Sequence, residues 1–368
     1  LHADGLTLID LLRHAADSTN VGLRLLDRSE NAVWFPWAEV YRRAERTRGG
    51  LQRLGLESGD RVALVFPTSI EFFDLFFGAI LAGAIPVPLY PPVRLGRLEE
   101  YATRTSRMLS AVDPQLVVAD TRVLRLFGTA MRGVAPELGC RTPTEIPAGS
   151  GDTVEKDQVD LALIQFSSGT TVDPKPVALS HRAVVSQAVA LNANWPDAGD
   201  RINSGVSWLP LYHDMGLIGC VITALERPGT MTLIPPEVFL TRPAVWLRTI
   251  SRYRATISVA PNFGYGLCIE KIRDEELEGV DLSAWTVGLN GAEPVVPRVM
   301  RRFQRRFEAW GLRPETLTPV YGLSEATLAV TFSPIDQPFA ARKFDRHALG
   351  REGLAVESSD GLEIASVG

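Results

Sequence analysis

Residues 163 to 181 read Leu-Ile-Gln-Phe-Ser-Ser-Gly-Thr-Thr-Val-Asp-Pro-Lys-Pro-Val-Ala-Leu-Ser-His. An apolar run leads straight into a turn carrying hydroxyls at Ser167, Ser168, Thr170 and Thr171, a glycine at Gly169 and a single lysine, Lys175. Hydroxyl donors, a backbone that a ligand can approach closely and a mobile point charge are the combination that a polyphosphate anion needs. The spacing is not that of a Walker P-loop. No glycine precedes Lys175, and Pro176 stands where Ser or Thr would hold magnesium, which disfavours a Ras-like or ATPase-type site. Taken alone, such a cluster is more often an ordinary polar turn at the end of a strand, so its meaning depends on the rest of the chain.

Three further segments carry groups that could do chemistry: Trp208-Leu-Pro-Leu-Tyr-His-Asp-Met-Gly-Leu217, Asn290-Gly-Ala-Glu-Pro294 and Tyr321-Gly-Leu-Ser-Glu-Ala326. Each has a plainer reading in isolation. A lone histidine such as His213 is usually structural, Gly291-Ala-Glu is a common strand-to-helix turn, and Tyr321 could be a core aromatic. A serine hydrolase is disfavoured, because Gly205-Val-Ser-Trp-Leu209 lacks the closing glycine of a nucleophile elbow.

The elements that must position these groups are legible as short apolar runs: Arg61 to Phe66, Leu116 to Ala119, Leu161 to Phe166, Met231 to Ile234, Thr256 to Ala260 and Thr286 to Leu289. Their apolarity is continuous rather than alternating, which predicts strands covered on both faces in parallel α/β layers, and their number predicts two sheets. From about Pro297 to Trp310, Val299, Met300, Phe303, Phe307 and Trp310 recur at helical steps. Arg298, Arg301, Arg302, Arg305 and Arg306 then fall largely on other faces, as a solvated surface. Phe72 to Leu89 is the most apolar stretch, but Asp74, Gly78, Gly83, Pro86 and Pro88 interrupt it, so it reads as a buried helix followed by a strand and not as a membrane span. Pro86 to Pro92 reads as a turn or the start of a loop, with Tyr90 as an exposed aromatic.

The chain has 368 residues, is 45% hydrophobic and carries a net charge of −5. That suffices for one large or two ordinary globular domains, excludes disorder, and gives nucleic acid no basic surface to bind. Cys140, Cys220 and Cys268 lie far apart, an odd number with no metal-like spacing, which favours a reducing, cytoplasmic setting. No signal peptide opens the chain, and Leu1 is not an initiator methionine, so the N-terminus is expected to be a boundary rather than the natural start.

Together, in this order and separation, the four motifs resemble those of the adenylate-forming superfamily. The Tyr212-His-Asp-Met-Gly216 run, the Ala260-Pro-Asn-Phe263 segment and the Asn290-Gly-Ala-Glu-Pro294 run are most similar to the fatty acyl-AMP ligases, and the resemblance spans roughly residues 5 to 368. It implies the large N-terminal domain of that fold: two layered α/β subdomains plus a smaller β-rich one, with the small C-terminal domain absent. It also implies ATP and Mg2+ as requirements, a fatty acid as substrate, and an acyl carrier protein of a polyketide or peptide synthase as partner.

By the same resemblance, Ser167, Ser168, Gly169, Thr170, Thr171 and Lys175 would hold the β- and γ-phosphates, and Glu325 would ligate magnesium. Asn290, Gly291, Ala292 and Glu293 would offer backbone to the adenine edge. Tyr321, followed by Gly322 and Leu323, would stack on the base, and Ser324 would assist at the α-phosphate. His213 would orient the attacking carboxylate rather than take a proton from it, since the acid is already ionised at neutral pH. Met215, Gly216, Leu217, Phe263 and Gly264 are candidates for an acyl pocket, with ordinary core packing an equal alternative.

Val172 and Pro176 depart from the glycines usual in the superfamily, and a β-branched Val172 predicts extended backbone there. The segment 331–357 is similar to the insertion by which acyl-AMP ligases restrain their C-terminal domain and use CoA poorly. The family's ribose-binding aspartate, hinge arginine and C-terminal catalytic lysine have no counterpart in these residues, so this chain alone is expected to bind ATP and acid with weak or absent adenylation. An acyl-CoA synthetase, an aryl- or amino-acid adenylation domain and a non-catalytic nucleotide-binding module remain the alternatives.

Overall fold

The computed structural model describes residues 5–92, 98–127, 134–167, 174–195 and 204–368. The chain forms two compact units, one of Leu1–Asp27, Asn31–Asn194 and Pro210–Thr230, the other of Arg28–Glu30, Trp195–Leu209 and Met231–Gly368.

In the first unit, helix α1 (Leu8–Ala16) starts at Thr7, whose hydroxyl and backbone N–H both engage Asp10 in a capping box. The hairpin of β1 (Gly22–Leu26) and β2 (Ala32–Pro36) follows, then α2 (Trp37–Arg53). The parallel sheet has the order β4-β3-β5-β6, with β3 Arg61–Val65, β4 Ile85–Leu89, β5 Leu116–Ala119 and β6 Cys140–Arg141. Between β3 and β4 runs α3 (Ile70–Leu81), buried on nearly all sides. Its Asp74 is paired by both oxygens with Arg43, at 2.8 and 2.6 Å, so the carboxylate that breaks the apolar run is neutralised locally.

One expectation needs correcting here. Pro86 and Pro88 lie inside β4, not in a turn, and all five residues of that strand are buried. Proline cannot donate to a ladder, and among the described residues β4 has a hydrogen-bonded neighbour on one side alone, β3, so the missing N–H groups break no bond to it. Tyr90, at the end of β4, is half-buried rather than exposed.

One face of this sheet packs Ala63, Val65, Val87, Leu89, Val117 and Ala119 against Met108 and Leu109 of α4 (Leu98–Val112) and against Ile164 and Phe166. The last two belong to β7 (Leu161–Ser167), which pairs antiparallel with β8 (Lys175–Ser180) in register Ser167 to Lys175. Each buried Phe or Ile side chain contributes roughly 2 kcal/mol. That anchoring fixes the end of β7, where the hydroxyl-rich turn begins. After β8 comes α5 (His181–Asn194), whose His181 accepts the Leu8 N–H on Nδ1 at 3.1 Å.

The second unit holds six strands in the order β14-β13-β12-β11-β9-β10: β9 Ser204–Ser207, β10 Thr230–Leu233, β11 Ile257–Ala260, β12 Val287–Asn290, β13 Leu317–Gly322 and β14 Ala329–Phe332. β9, β11, β12 and β13 are mutually parallel, and β14 runs antiparallel to β13. Helices α6 (Asn262–Lys271) and α7 (Pro297–Phe307) cover the sheet, and β15 (Ala341–Phe344) with β16 (Leu362–Ala365) forms a separate hairpin.

An aromatic core binds these layers together, and its polar tips are tied to the strands that carry the motifs. Tyr265 Oη donates to the Leu289 carbonyl at 2.7 Å, Trp246 Nε1 to Ser258 Oγ at 2.8 Å and Trp285 Nε1 to the Val287 carbonyl at 2.8 Å. Buried aromatics with satisfied donors hold both position and orientation. Complete burial pushes the Tyr265 phenol far above its ordinary range.

On α7, Met300, Phe303 and Phe307 are buried as the periodicity predicts, and Trp310 follows in a 3-10 turn. The arginine face is only partly a solvated one. Arg301 makes two bonds to Glu363 at 2.8 and 2.7 Å and Arg306 pairs with Asp274, while Arg298, Arg302 and Arg305 are exposed. Segment 331–357 is not a bare loop: it contains β15, a turn of π-helix at Ala348–Glu352 and the Arg342–Glu357 pair.

Candidate active site

The first unit carries the β7–β8 hairpin. Ser168, Gly169, Thr170, Thr171 and Val172 lie outside the described residues. On either side of them, Ser167 is buried at the end of β7, with its Oγ 3.5 Å from the Lys175 carbonyl, and the Lys175 side chain is exposed. Pro176 sits within β8 opposite Phe166. A hairpin delivers one side chain of each type to the same end: a buried hydroxyl and an exposed cation.

His213 opens a single short turn, Asp214–Gly216, which runs directly into a π-helix at Leu217–Ile222. Its backbone carbonyl accepts from Gly216 and Leu217, at 3.1 and 3.0 Å. The imidazole is 39% exposed and its Nδ1 lies 3.7 Å from Asp214 Oδ1. A π-helical turn is rare, and occurs most often where a functional side chain must be re-aimed.

Between these elements lies a cavity of about 350 Å³, lined by Pro88, Tyr90, Arg104, Met108, Phe166, Ser167, Pro174, Tyr212 and His213. Its wall is therefore made by the ends of β4 and β7, one face of α4, the start of β8 and the histidine turn. Tyr90, Tyr212 and His213 form a chain of rings along it, Tyr90 6.0 Å from Tyr212 and Tyr212 6.1 Å from His213, and behind the wall Tyr101 meets Tyr90 edge-on at 5.4 Å. The Tyr101 hydroxyl donates to the Tyr90 carbonyl, at 3.2 Å. Burial raises the Tyr90 phenol above its ordinary range, with Arg104 opposing the shift, so the hydroxyl is neutral at physiological pH.

In the second unit, β12 ends at Asn290, which is fully buried, and its Nδ2 donates to Asn262 Oδ1 at 3.3 Å. Gly291 has a steric reason: a Cβ there would stand 2.7 Å from Val320 Cγ2 and 3.0 Å from the Val320 carbonyl, so β13 could not approach as it does. Ala292 is held at φ +69°, a left-handed backbone that costs a non-glycine residue about 1 kcal/mol. Glu293 then turns back, and its Oε1 accepts the Phe263 N–H at 2.6 Å, at the open N-terminus of α6. Asn262 also accepts the Val296 N–H at 3.0 Å. The loop and the helix start thus cap one another.

Tyr321, at the end of β13, is 51% exposed, with a face free of core packing. A bulge falls between Tyr321 and Gly322, where an added Cβ would meet the Leu328 carbonyl at 1.9 Å. Ser324 and Glu325 sit in a 3-10 turn, Glu325 exposed and, among the described residues, without an ion pair. Thr327 closes that turn at φ +72°, a conformation that a β-branched residue adopts only when its surroundings impose it. Of the six non-glycine residues with positive φ among the described residues, Ala292 lies in a motif singled out from the sequence and Thr327 follows one, while Asn20, Glu30, Asp113 and Arg254 lie elsewhere.

Three buried polar groups at these motifs have no partner among the described residues: the Gln165 amide, Trp208 Nε1 and Asn290 Oδ1. An unpaired buried group costs about 1 to 3 kcal/mol, a cost that is concentrated at ligand sites.

The expected residues therefore separate into local groups. Ser167, Lys175 and His213 come together in the first unit, with Ser167 and His213 on one cavity. Asn290, Gly291, Ala292, Glu293 and Phe263 come together in the second, next to the strand that bears Tyr321 and Gly322 and leads through Leu323 into the turn with Ser324 and Glu325. Of the acyl-pocket candidates, Gly216 and Leu217 are buried in the core, Met215 is half-buried, and none of the three lines the cavity. Phe263 is 48% exposed with its edge toward Trp208, and Gly264 is small because a Cβ would stand 2.7 Å from the Trp208 ring. Sequence reasoning missed Pro88, Arg104, Met108 and Asn262. Asn262 sits inside a quoted motif, whereas nothing in the local sequence marks Arg104, which only the packing of α4 on the sheet brings to the cavity.

Comparison with known proteins fits this geometry. Residues 13–352 match the family model described as AMP-binding enzyme. The chain is 34% identical to a 4-hydroxyphenylalkanoate adenylyltransferase of Mycobacterium marinum, across 98% of this chain and 60% of that protein. It is 30% identical to the medium-chain-fatty-acid–[acyl-carrier-protein] ligase JamA of Moorena producens, across 96% of this chain and 60% of that protein. The chain thus spans about three fifths of the length of these curated relatives. Among solved structures, one from work on the fatty acyl-adenylate ligases of E. coli and L. pneumophila superposes with a TM-score of 0.93 at 32% identity, covering 100% of this chain and 67% of that one. A fatty acyl-adenylate ligase from L. pneumophila, in complex with acyl adenylate and pyrophosphate, gives 0.88 at 29% identity, covering 98% and 63%. The α/β architecture is that of the large N-terminal domain of the adenylate-forming fold, and the chain belongs to the AMP-binding enzyme family.

Proposed function

We propose that the enzyme built on this chain joins a fatty or related carboxylic acid to ATP, forming an acyl-adenylate with release of pyrophosphate, and passes the acyl group to the phosphopantetheine thiol of a carrier protein. The observation that carries this reading is the shared cavity, where Ser167 and Pro174 of the hydroxyl-rich hairpin face His213. In this reading the hairpin and Lys175 hold the triphosphate, whose charge must be stabilised as pyrophosphate leaves. His213 orients the carboxylate oxygen that attacks the α-phosphate, and apolar walls at Pro88, Met108 and Phe166 keep water from the acyl chain.

The loop Asn290 to Glu293 and the exposed face of Tyr321 take the adenine. Glu293 serves it through the α6 N-terminus, because its carboxylate is already engaged there. Glu325 suits magnesium: an exposed carboxylate with no ion pair among the described residues is a hard oxygen ligand, and that ion usually completes its shell with phosphates and water. When bound, magnesium neutralises part of the phosphate charge. Segment 331–357 acts in this reading as the insertion that restrains a C-terminal domain. The fatty acid and carrier-protein acceptor follow the name of one relative and a hydroxyphenylalkanoic acid that of another, and the ATP supply and the free cysteines suit a cytoplasmic enzyme.

Mass spectrometry of the full-length enzyme with ATP, magnesium and a ladder of acids, with and without CoA, tests the reading. Acyl-AMP that accumulates without conversion to acyl-CoA is the expected result. Abundant acyl-CoA overturns the carrier-protein assignment, and the absence of any adenylate overturns the whole.

A further inference from the structure

The cavity in the first unit is not the plain apolar tunnel that a long alkyl chain would need. Apart from His213, the cation among its described lining residues is Arg104, which projects from the middle of α4 with its guanidinium carbon 5.7 Å from the Tyr90 ring centre. Among the described residues Arg104 makes no ion pair, and Glu100, one turn earlier on α4, acts with it on Tyr90. Tyr90 itself is a neutral phenol facing the same space, and Tyr212 and Phe166 add aromatic wall. At about 350 Å³ the cavity is at the small end of the range for small-molecule sites.

We propose that Arg104, backed by Tyr90, makes this cavity selective for acids that carry an oxygen acceptor at the end remote from the reacting carboxylate. This rests on the adenylation reading above. With the reacting carboxylate at His213, the tail crosses the apolar wall of Phe166 and Met108 and ends near the guanidinium. A methyl end leaves that cation to water, whereas a phenol or carboxylate accepts hydrogen bonds from it; the Tyr90 ring backs the guanidinium. A guanidinium presents a rigid fork of donors to such an oxygen, and its face stacks on the neighbouring ring. A site built to hydrogen-bond a substrate oxygen rejects the analogue lacking it far more strongly than an apolar pocket rejects an added group. Two kinds of acid share this chemistry, those ending in a hydroxyphenyl ring and those ending in a second carboxylate, and the aromatic walls suit the first.

The test is a competition in which full-length enzyme, ATP and magnesium meet equimolar methyl-ended, hydroxyphenyl-ended and carboxyl-ended acids of matched length, with acyl-adenylates quantified by mass spectrometry. The wild type is expected to favour an oxygen-ended acid by about tenfold, and Arg104→Met to bring the ratio to about one through loss on that acid. Arg104→Lys, which keeps charge but loses the fork, should shift the preference from the phenol toward the dicarboxylic acid. A wild type that favours the methyl-ended acid, or a ratio that survives Arg104→Met, overturns this inference while leaving adenylation intact. Failure of all three acids to form adenylate overturns the function on which it rests.

Discussion

Lys175 and Glu325 are both exposed, and among the described residues neither side chain has an ion pair, so neither holds the fold together. Charges placed in solvent without partners are free to meet a ligand, and losing one should cost chemistry rather than stability. Lys175→Ala and Glu325→Ala are each expected to lower acyl-adenylate formation by about 100-fold or more. Their melting temperatures should stay within about 2 °C of wild type, as for other surface substitutions. Full activity in either variant refutes the role given to that residue. Glu293 is different: the resemblance gave it a backbone contact to the adenine edge, and its carboxylate accepts the Phe263 N–H. The motif was legible; the direction of that side chain was not, because it depends on a helix start thirty residues earlier in the chain.

At the scale of elements, the continuous apolar runs gave the strands closely. Leu116 to Ala119 matches β5, but the six runs fall in three sheets and not two, because Leu161 to Phe166 pairs in the separate β7–β8 hairpin. Local composition misled at Pro86 and Pro88, since proline argues against a strand unless the strand is at an edge, and edge position is a property of the assembled sheet. The junction of α1 and α5 was also invisible in sequence. There His181 is 2% exposed and accepts the Leu8 N–H on a neutral Nδ1, and burial lowers its pKa from 6.5 to about 4. The unfolded chain therefore binds a proton between pH 6.5 and 4 that the folded one does not. Its contribution to stability is fully present above pH 6.5 and declines as the pH falls toward 4. Calorimetric melting across that range should show a steeper loss for wild type than for His181→Gln, whose amide oxygen accepts the same N–H without titrating. Parallel slopes would contradict this account of the junction.

For the whole molecule, what sequence could not supply was the cavity. Its lining comes from β4, α4, β7, β8 and the histidine turn, segments spread from residue 88 to residue 213. Phe166 was foreseeable as part of a buried strand, and Tyr212 and His213 as motif, but the meeting of Phe166 with Met108 is a consequence of β7 packing on the face of the parallel sheet. The Walker-negative spacing, by contrast, was readable at once, because it depends only on neighbours in the chain. The central claim, that these pieces serve an acid attacking ATP, is tested most directly by exchange of labelled pyrophosphate into ATP by the full-length enzyme. The account predicts exchange that requires both magnesium and a carboxylic acid and that collapses in Lys175→Ala. Exchange without any acid, or none with every acid tried, would contradict it.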